Sequence, residues 1–242
     1  MRRYLSRVLC LPAFAASIWG CERRVTVSTP TESPGAYRIL ALGDSYTIGE
    51  SIAAAERWPV QLAKRLRALG VDAGEPQIIA RTGWTTDELS GAIDAADPQG
   101  PFDLVTLLIG VNNQYRGRSV EEYRPQFVAL LDRAIGFAGG DASKVVVVSI
   151  PDYGVTPFGS RDRERIGREI DAFNAVGREE AAKRGVAFVD ITPISRGGTT
   201  RPSLHADDGL HPSGEQYALW ADAVAEAVLA RRGPATAPTT RP

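Results

Sequence analysis

Short runs of apolar, mostly β-branched residues alternate with longer segments of helical periodicity along most of the chain. The apolar runs are almost uninterrupted, which is typical of strands buried on both faces of a parallel sheet. They predict five strands, at Tyr37–Leu42, Gln77–Ala80, Leu104–Ile109, Lys144–Ile150 and Val186–Val189. The intervening segments predict helices around Trp58–Leu69, Thr85–Ala95, Ser119–Phe137 and Arg161–Arg184, and a last helix that follows Pro212 and ends at Arg231. Strict alternation of strand and helix predicts an α/β fold, with a mainly parallel sheet of about five strands between two layers of helices.

The first twenty residues have a different pattern. Arg2, Arg3 and Arg7 precede an apolar run over residues 8–20, which is too short for a comfortable membrane span and fits a secretory signal peptide. The run ends in Ile-Trp-Gly-Cys at residues 18–21, which resembles the lipobox of bacterial lipoproteins. That resemblance implies cleavage before Cys21 and attachment of lipid to its thiol. An ordinary secreted protein with a cysteine at this position by chance is the alternative.

Polar segments flank the predicted domain on both sides. Residues 21–36 carry Cys21 and a tether rich in Thr, Ser and Pro, and residues 233–242 form a similar tail that we expect to be disordered. One domain remains, over residues 37–232. We expect the protein to be exported to the bacterial cell envelope and anchored to a membrane through Cys21, with a soluble periplasmic or secreted form as the alternative.

Composition excludes several classes of function. The 242 residues are 43% hydrophobic and carry 28 basic and 29 acidic side chains, so the chain lacks the basic excess of a nucleic-acid-binding protein. Two cysteines and two histidines are too few for a Cys/His zinc site. We therefore expect no nucleic-acid partner, no metal and no cofactor, and the function to depend on a few side chains.

Candidate chemistry lies in four loops, three of them directly after predicted strands. In parallel α/β sheets the functional residues sit on loops at the carboxyl ends of the strands. Taken alone, the first of these segments is a common turn in which Ser45 would cap a helix. The four segments are Gly43-Asp44-Ser45, Thr82-Gly83-Trp84, Gly110-Val111-Asn112 and Asp208-Gly209-Leu210-His211.

In this order the segments resemble the four blocks of the SGNH, or GDSL, family of serine hydrolases, over residues 43–211. The resemblance implies the flavodoxin-like, three-layer α/β/α sandwich of that family and the hydrolysis of ester bonds. It also implies Ser45 as nucleophile, His211 as base and Asp208 as the carboxylate that orients the base. The implied oxyanion hole consists of the backbone N–H groups of Ser45 and Gly83 and the side-chain amide of Asn112. Many members have aspartate where this chain has Asn113, but that position is not an oxyanion donor.

The chemistry by itself also requires a base, because an unassisted serine hydroxyl is a poor nucleophile at neutral pH. Histidine suits this role, since its unperturbed pKa is about 6.5, and the only candidates are His205 and His211. His211 follows an acid by three positions and precedes Pro212 at a helix start, so Asp208 can reach back to its ring. Asp207 competes for that contact. His205 has no such setting, and we interpret it as a loop histidine.

Residues beside these loops bear on the substrate. Trp84, Tyr115 and Tyr153 are candidates for the wall of a substrate pocket, as are Arg116 and Phe158, and packing beneath the loops is the alternative. Without a large lid insertion, the expected substrate is a small or exposed ester. Two other functions stay open: a non-catalytic, carbohydrate-binding lipoprotein, and an acyltransferase that uses the same acyl-enzyme.

Overall fold

The computed structural model describes residues 36–232, and in this range five strands form a single sheet. The predicted signal peptide, Cys21, nearly all of the tether and the C-terminal tail lie outside the described residues. All four strand pairings are parallel, and the order across the sheet is β2-β1-β3-β4-β5. The strands are β1 (Ile39–Gly43), β2 (Gln77–Ala80), β3 (Leu104–Leu108), β4 (Val145–Val148) and β5 (Ala187–Val189).

Eight α-helices connect and follow the strands within residues 36–232. They are α1 (Ser45–Ile48), α2 (Trp58–Ala68), α3 (Thr86–Ala96), α4 (Val111–Tyr115), α5 (Val120–Phe137), α6 (Arg163–Lys183), α7 (Thr192–Arg196) and α8 (Gly214–Arg232). Short 3₁₀ turns occupy Ala54–Glu56, Ala142–Lys144, Tyr153–Val155, Ser160–Asp162, Gly197–Thr199 and Pro202–Leu204. The five long helices correspond to the predicted ones and differ from them by at most two residues at either end.

The differences between the predicted and observed ends of the elements have local causes. The predicted helices at Thr85 and Ser119 each include the residue that caps the helix. Thr85 and Ser119 lie just before α3 and α5 and form capping boxes with Glu88 and Glu122 in the first helical turn. The helix predicted to start at Arg161 starts at Arg163, because Arg161 belongs to a 3₁₀ turn before α6. The strand predicted to start at Tyr37 starts at Ile39, because Tyr37 forms only an isolated bridge before β1.

Two layers of helices cover the sheet, as the alternation predicted. Helices α2 and α8 pack against each other on one face, and α3, α5 and α6 lie side by side on the other. The residues of β1, β3 and β4 are all buried, which explains their unbroken apolar runs. Trp58 and Trp220 are fully buried in the helix pair on the first face. None of the helices in residues 36–232 is long and apolar enough to cross a membrane.

The strand order places a crevice between β1 and β3. The chain leaves β1 towards β2 on one side and leaves β3 towards β4 on the other, so the direction of the connections reverses at this pair. In open α/β sheets, ligands bind at the carboxyl ends of the strands where the direction reverses. Ser45 follows β1 and Asn112 follows β3, so both lie at this crevice.

Candidate active site

Ser45 is the first residue of α1, in a tight turn after β1. The residue that caps this helix is Asp44, whose carboxylate accepts a hydrogen bond of 3.0 Å from the N–H of Tyr46. The interpretation of Ser45 as a helix cap is therefore wrong. A Cβ at Gly43 would lie 2.6 Å from the Leu108 carbonyl oxygen, so the turn after β1 can approach β3 only with glycine at this position. As the first helical residue, Ser45 has a backbone N–H without an intrahelical acceptor.

Asp44 is fully buried beside this turn. Burial raises the pKa of Asp44 to about 7. The hydrogen bond from the N–H of Tyr46 lowers this pKa, but its effect is smaller than that of burial. Its Oδ2 lies 3.4 Å from the side-chain nitrogen of Asn112. Because burial disfavours the charged form, Asp44 carries less negative charge near neutral pH than an exposed aspartate would.

His211 and Asp208 form a direct contact. The Nδ1 atom of His211 is 2.6 Å from Oδ2 of Asp208, and the other carboxylate oxygen accepts the N–H groups of Leu210 and His211, each at 2.9 Å. Burial would raise the pKa of Asp208, but hydrogen bonds from Ser51, His211 and Leu210 outweigh it and hold the pKa below its usual range. Asp208 rather than its neighbour Asp207 therefore contacts the imidazole, and it does so as a carboxylate.

Tyr46 supports the imidazole from the side of α1. Its ring is fully buried and lies 5.5 Å from the His211 ring, measured between centroids, at an interplanar angle of 59°. The residue after the candidate nucleophile thus restricts the position of the candidate base. His211 itself is only 7% exposed, so its ring has little freedom to turn.

His205 has a different environment. Both of its ring nitrogens are buried and have no hydrogen-bond partner within the described residues. Burial lowers the pKa of His205, partly offset by the charge of Asp208. The ring packs against Gly198, where an added Cβ would lie 2.0 Å from its Nε2. This environment agrees with the interpretation of His205 as a loop histidine.

Gly83 lies on the loop after β2 with φ of 88°, a left-handed conformation that favours glycine. Its N–H donates to no acceptor within residues 36–232, so it is free to face a ligand. Its carbonyl accepts a 2.6 Å hydrogen bond from Nη2 of Arg116, which also forms an ion pair with Glu88 at 3.2 Å. Arg116, predicted as a candidate pocket wall, instead holds the Gly83 loop in place.

The loop after β3 carries two asparagines with different partners. Asn112 lines the crevice, and its side-chain nitrogen donates to the Trp84 carbonyl at 2.9 Å. Asn113 is fully buried: its Oδ1 accepts the N–H of Thr86 at 3.1 Å, and its Nδ2 donates to the Thr86 hydroxyl at 2.7 Å. Asn113 thus joins this loop to the start of α3, which explains why an amide suits this position.

A cavity of about 180 Å³ opens above Ser45. Tyr115, Tyr153 and Phe158 line one side, with ring centroids 6.1–6.4 Å apart, and we call them the aromatic trio. Tyr115 is 60% and Phe158 53% exposed, and both contact the cavity. The whole lining consists of Ser45, Tyr46, Thr82, Gly83, Val111, Asn112, Tyr115, Tyr153, Phe158, Leu210 and His211.

Trp84, which was also predicted to line the pocket, does not belong to this lining. Its side chain is half-buried and packs against the hydrophobic core, and it contributes to the site through its carbonyl, which holds Asn112. Within residues 36–232, no group of three or more His, Cys, Asp or Glu side chains is placed to hold a metal ion.

Two polar residues at the site, Glu50 and Ser51, went unnoticed in the sequence. The Ser51 hydroxyl donates to Oδ2 of Asp208 at 2.6 Å, and the Thr82 hydroxyl donates to the carboxylate of Glu50. Glu50 and Ser51 carry no motif, and their partners are 32 and 157 positions away in the chain. The sequence therefore held no signal for these contacts.

The sequence profile of the GDSL-like lipase/acylhydrolase family matches residues 41–219. No curated protein matches the chain significantly.

Solved structures of similar fold include TesA, with a TM-score of 0.65 and 20% identity, covering 80% of this chain and 99% of that one. A lipase/acylhydrolase from Enterococcus faecalis has a TM-score of 0.62 and 22% identity, covering 83% of this chain and 99% of that one. An acetylxylan esterase from Geobacillus stearothermophilus has a TM-score of 0.62 and 18% identity, covering 79% of this chain and 94% of that one.

Proposed function

Because the chain belongs to the GDSL-like lipase/acylhydrolase family and is thus an esterase, we propose that it cleaves carboxylic esters through an acyl-enzyme on Ser45. His211 acts as the base and Asp208 orients it. The observation that carries this proposal is the convergence of Ser45 and His211 on one cavity, with the His211 ring held by Asp208 at 2.6 Å.

The contact between Asp208 and Nδ1 leaves Nε2 of His211 to exchange protons with the reacting groups. As Ser45 Oγ attacks the ester carbon, its proton passes to Nε2, and the carbonyl oxygen becomes an oxyanion. When the carbon–oxygen ester bond breaks, Nε2 returns the proton to the leaving alcohol. A water molecule then attacks the acyl-enzyme with His211 again as base, which releases the acid and restores Ser45.

Three donors surround the expected position of the oxyanion. The N–H groups of Ser45 and Gly83 lack acceptors in their local structure, and Asn112 provides the third donor. One hydrogen of the Asn112 amide is used by the Trp84 carbonyl at 2.9 Å. The other faces Asp44 at 3.4 Å, a long hydrogen bond that the oxyanion can replace.

The cavity favours an ester with a small apolar group. Its lining is mainly aromatic and aliphatic and contains no Lys, Arg, Asp or Glu side chain. A cavity of about 150 Å³ is enough for a six-carbon ring, and this one measures about 180 Å³. Acyl groups of up to about six carbons therefore fit between Ser45 and the aromatic trio.

We predict that the aromatic trio sets the preference for acyl length. Since a buried methylene contributes about 0.8 kcal/mol, roughly fourfold in kcat/KM, the p-nitrophenyl hexanoate ester should be cleaved more efficiently than the acetate. The double variant Tyr115→Ala/Phe158→Ala should lower kcat/KM about tenfold for the hexanoate and under about threefold for the acetate. Steady-state kinetics over esters of graded length test this.

Leu69 supplies the matched control, because it is the other exposed large hydrophobic side chain in the described residues, 51% exposed at the end of α2. Leu69→Ala should leave the profile of chain length unchanged. Equal losses for hexanoate and acetate in the double variant would contradict the assignment of the trio. The same screen includes acetylated xylooligosaccharides and a lysophospholipid, and a preference for either would replace the small apolar ester as substrate.

An acyltransferase remains the second candidate, since it would use the same acyl-enzyme. The cavity above Ser45 is open at the surface, so both water and an alcohol can reach an acyl group on Ser45. Measuring how the product divides between water and added alcohols separates the two reactions. A purely carbohydrate-binding role is not favoured, because Ser45, Asn112 and His211 are all retained.

For the location of the protein, we propose lipid attachment at Cys21 and a membrane anchor in the bacterial cell envelope, supported by the lipobox-like residues 18–21 and the polar tether after them. Cys21→Ser should abolish lipid attachment and either move the protein out of the membrane fraction or leave its precursor uncleaved. One acyl chain binds membranes only marginally, so stable anchoring requires more than one. Fractionation with mass spectrometry of the N-terminus tests this, and an unmodified Cys21 at a soluble mature N-terminus would contradict it.

A further inference from the structure

Ser51 has an unusual backbone conformation. Its φ is 66°, and within residues 36–232 only Asp97, with φ of 41°, shares a positive φ without being glycine. Left-handed backbone is unfavourable for residues with a Cβ, and such residues concentrate at functional sites. Glycine would relax this position, so the presence of serine calls for a reason in its side chain.

The hydroxyl of Ser51 provides that reason. It donates to Oδ2 of Asp208 at 2.6 Å, and the same oxygen faces Nδ1 of His211 at 2.6 Å. The second carboxylate oxygen is held by the N–H groups of Leu210 and His211. The carboxylate of Asp208 thus meets four donors, and only Ser51 comes from outside its own loop.

The segment that carries Ser51 is continuous with the turn of the nucleophile. The carbonyl of Ser45 accepts the N–H groups of Gly49 at 3.0 Å and of Glu50 at 3.1 Å. Glu50 in turn accepts the hydroxyl of Thr82, next to Gly83. Residues 49–51 therefore tie the turn that carries Ser45 to the loop of Gly83 through Glu50, and to the loop of His211 through Ser51.

We propose that Ser51 is a positioning residue for the hydrolysis: it fixes the rotation of the Asp208 carboxylate and reduces its pull on the His211 imidazole. This inference rests on the proposed function. With Oδ2 shared between Ser51 and His211, each donor takes part of its negative potential, and the imidazolium form is stabilised less than by an unshared carboxylate.

Removing the hydroxyl has a defined consequence. In Ser51→Ala the whole potential of Oδ2 acts on the imidazole, which keeps its proton to higher pH, while the carboxylate gains freedom to rotate. We expect kcat to fall about tenfold with KM within about twofold, and the ascending limb of the kcat/KM profile to move to higher pH. The substitution does not alter the other titratable groups that share the cavities around the imidazole, which are Tyr46, Asp152, Tyr153 and His205.

Two further variants separate the hydrogen bond from the backbone. Ser51→Gly removes the same hydrogen bond as Ser51→Ala but relaxes the left-handed conformation, so it should melt at a higher temperature than Ser51→Ala and still show the lowered kcat and shifted profile. Asp97→Gly is the control, because it relaxes the only other positive-φ residue of this kind, at the end of α3. It should keep the wild-type kcat and pH profile.

The outcomes are distinguishable. If Ser51→Gly keeps the wild-type kcat and the wild-type pH profile, the proposal is wrong. The proposal is also wrong if kcat falls in Ser51→Ala while the ascending limb of the kcat/KM profile stays at the wild-type pH, because that result indicates damage to the fold alone. NMR titration of the imidazoles gives a readout without turnover, since the chain has two histidines and His211→Ala assigns them. A titration of His211 unchanged by Ser51→Ala overturns the proposal. If the wild-type protein hydrolyses no ester but the titration of His211 still shifts in Ser51→Ala, only the proposed function is overturned.

Discussion

Replacing Ser45 by alanine is expected to abolish ester hydrolysis while leaving the fold intact. The side chain at this position forms the bond to the acyl group, and Ser45 is the one serine in the lining of the cavity that it shares with His211. We expect kcat to fall by about 10⁴-fold or more, which corresponds to about 5.4 kcal/mol of transition-state stabilisation. Because Asp44 and not Ser45 caps helix α1, the hydroxyl of Ser45 makes little contribution to the stability of the fold.

An organophosphonate provides the complementary measurement, because a base-activated serine forms a stable covalent analogue of the acyl intermediate. Mass spectrometry should find one label on wild-type protein, on the peptide that contains Ser45, and none on Ser45→Ala. Circular dichroism and the melting temperature should match in the two proteins. Labelling that survives the substitution would place the nucleophile elsewhere.

The second large effect is expected at His211. His211→Ala should lower kcat by about 10³-fold or more with a small change in KM, because the base acts mainly in the transition state. Asn112→Ala should lower kcat by about 10²–10³-fold, the usual cost of one lost oxyanion donor. The loss of kcat in Asp208→Asn should be smaller than in His211→Ala and larger than in His205→Ala, since an amide facing Nδ1 favours the wrong tautomer of the imidazole.

Two substitutions act as controls for these roles. His205→Ala should change kcat by less than about tenfold, or about 1.4 kcal/mol, because both of its ring nitrogens are buried away from the cavity. Asp207→Asn should have no larger effect. If His205→Ala proves as damaging as His211→Ala, the assignment of the base is wrong and the family resemblance holds for the fold only.

The pH dependence follows from the same groups. In wild-type protein kcat/KM should rise with pH as His211 loses its proton, since only the neutral imidazole accepts the proton of Ser45. Asp208 should add no limb, because its hydrogen bonds hold its pKa below the usual range. A carboxylate whose pKa is lowered by folding stabilises the folded protein at pH values above its pKa in the unfolded chain. This contribution is lost as the pH falls through its pKa in the folded protein. Asp208→Asn should therefore flatten the loss of stability in acid, which urea titrations at several pH values measure.

Most of the architecture could be predicted from local pattern. The strands β1, β3 and β4 are completely buried and the edge strands β2 and β5 are mostly buried, so their apolar runs stand out, and the long helices show a helical period. The three short helices α1, α4 and α7 were not predicted. A helix of four or five residues is unstable alone and is too short to leave a clear helical period in the sequence.

At the site, the kinds of chemistry were readable and the contacts were not. The meeting of the loops that carry Ser45, Gly83 and Asn112 could be predicted, because each loop follows a strand and parallel strands bring their carboxyl ends to one edge of the sheet. Six other predicted residues line the cavity with Ser45, namely Gly83, Asn112, Tyr115, Tyr153, Phe158 and His211. Trp84 does not, because the side chain beside a glycine turn can face the core as well as the cavity.

The sequence by itself determined the α/β class, the strands and long helices, and a small set of candidate residues, because burial of each face leaves a periodic trace among near neighbours in the chain. Only the tertiary structure decided between Asp208 and Asp207, assigned the helix cap to Asp44, and brought Ser51 to a carboxylate 157 positions away. Such contacts depend on how the loops meet at the edge of the sheet. They involve single hydrogen bonds between distant residues, which impose no period on the sequence, and so they become visible only once the chain is folded.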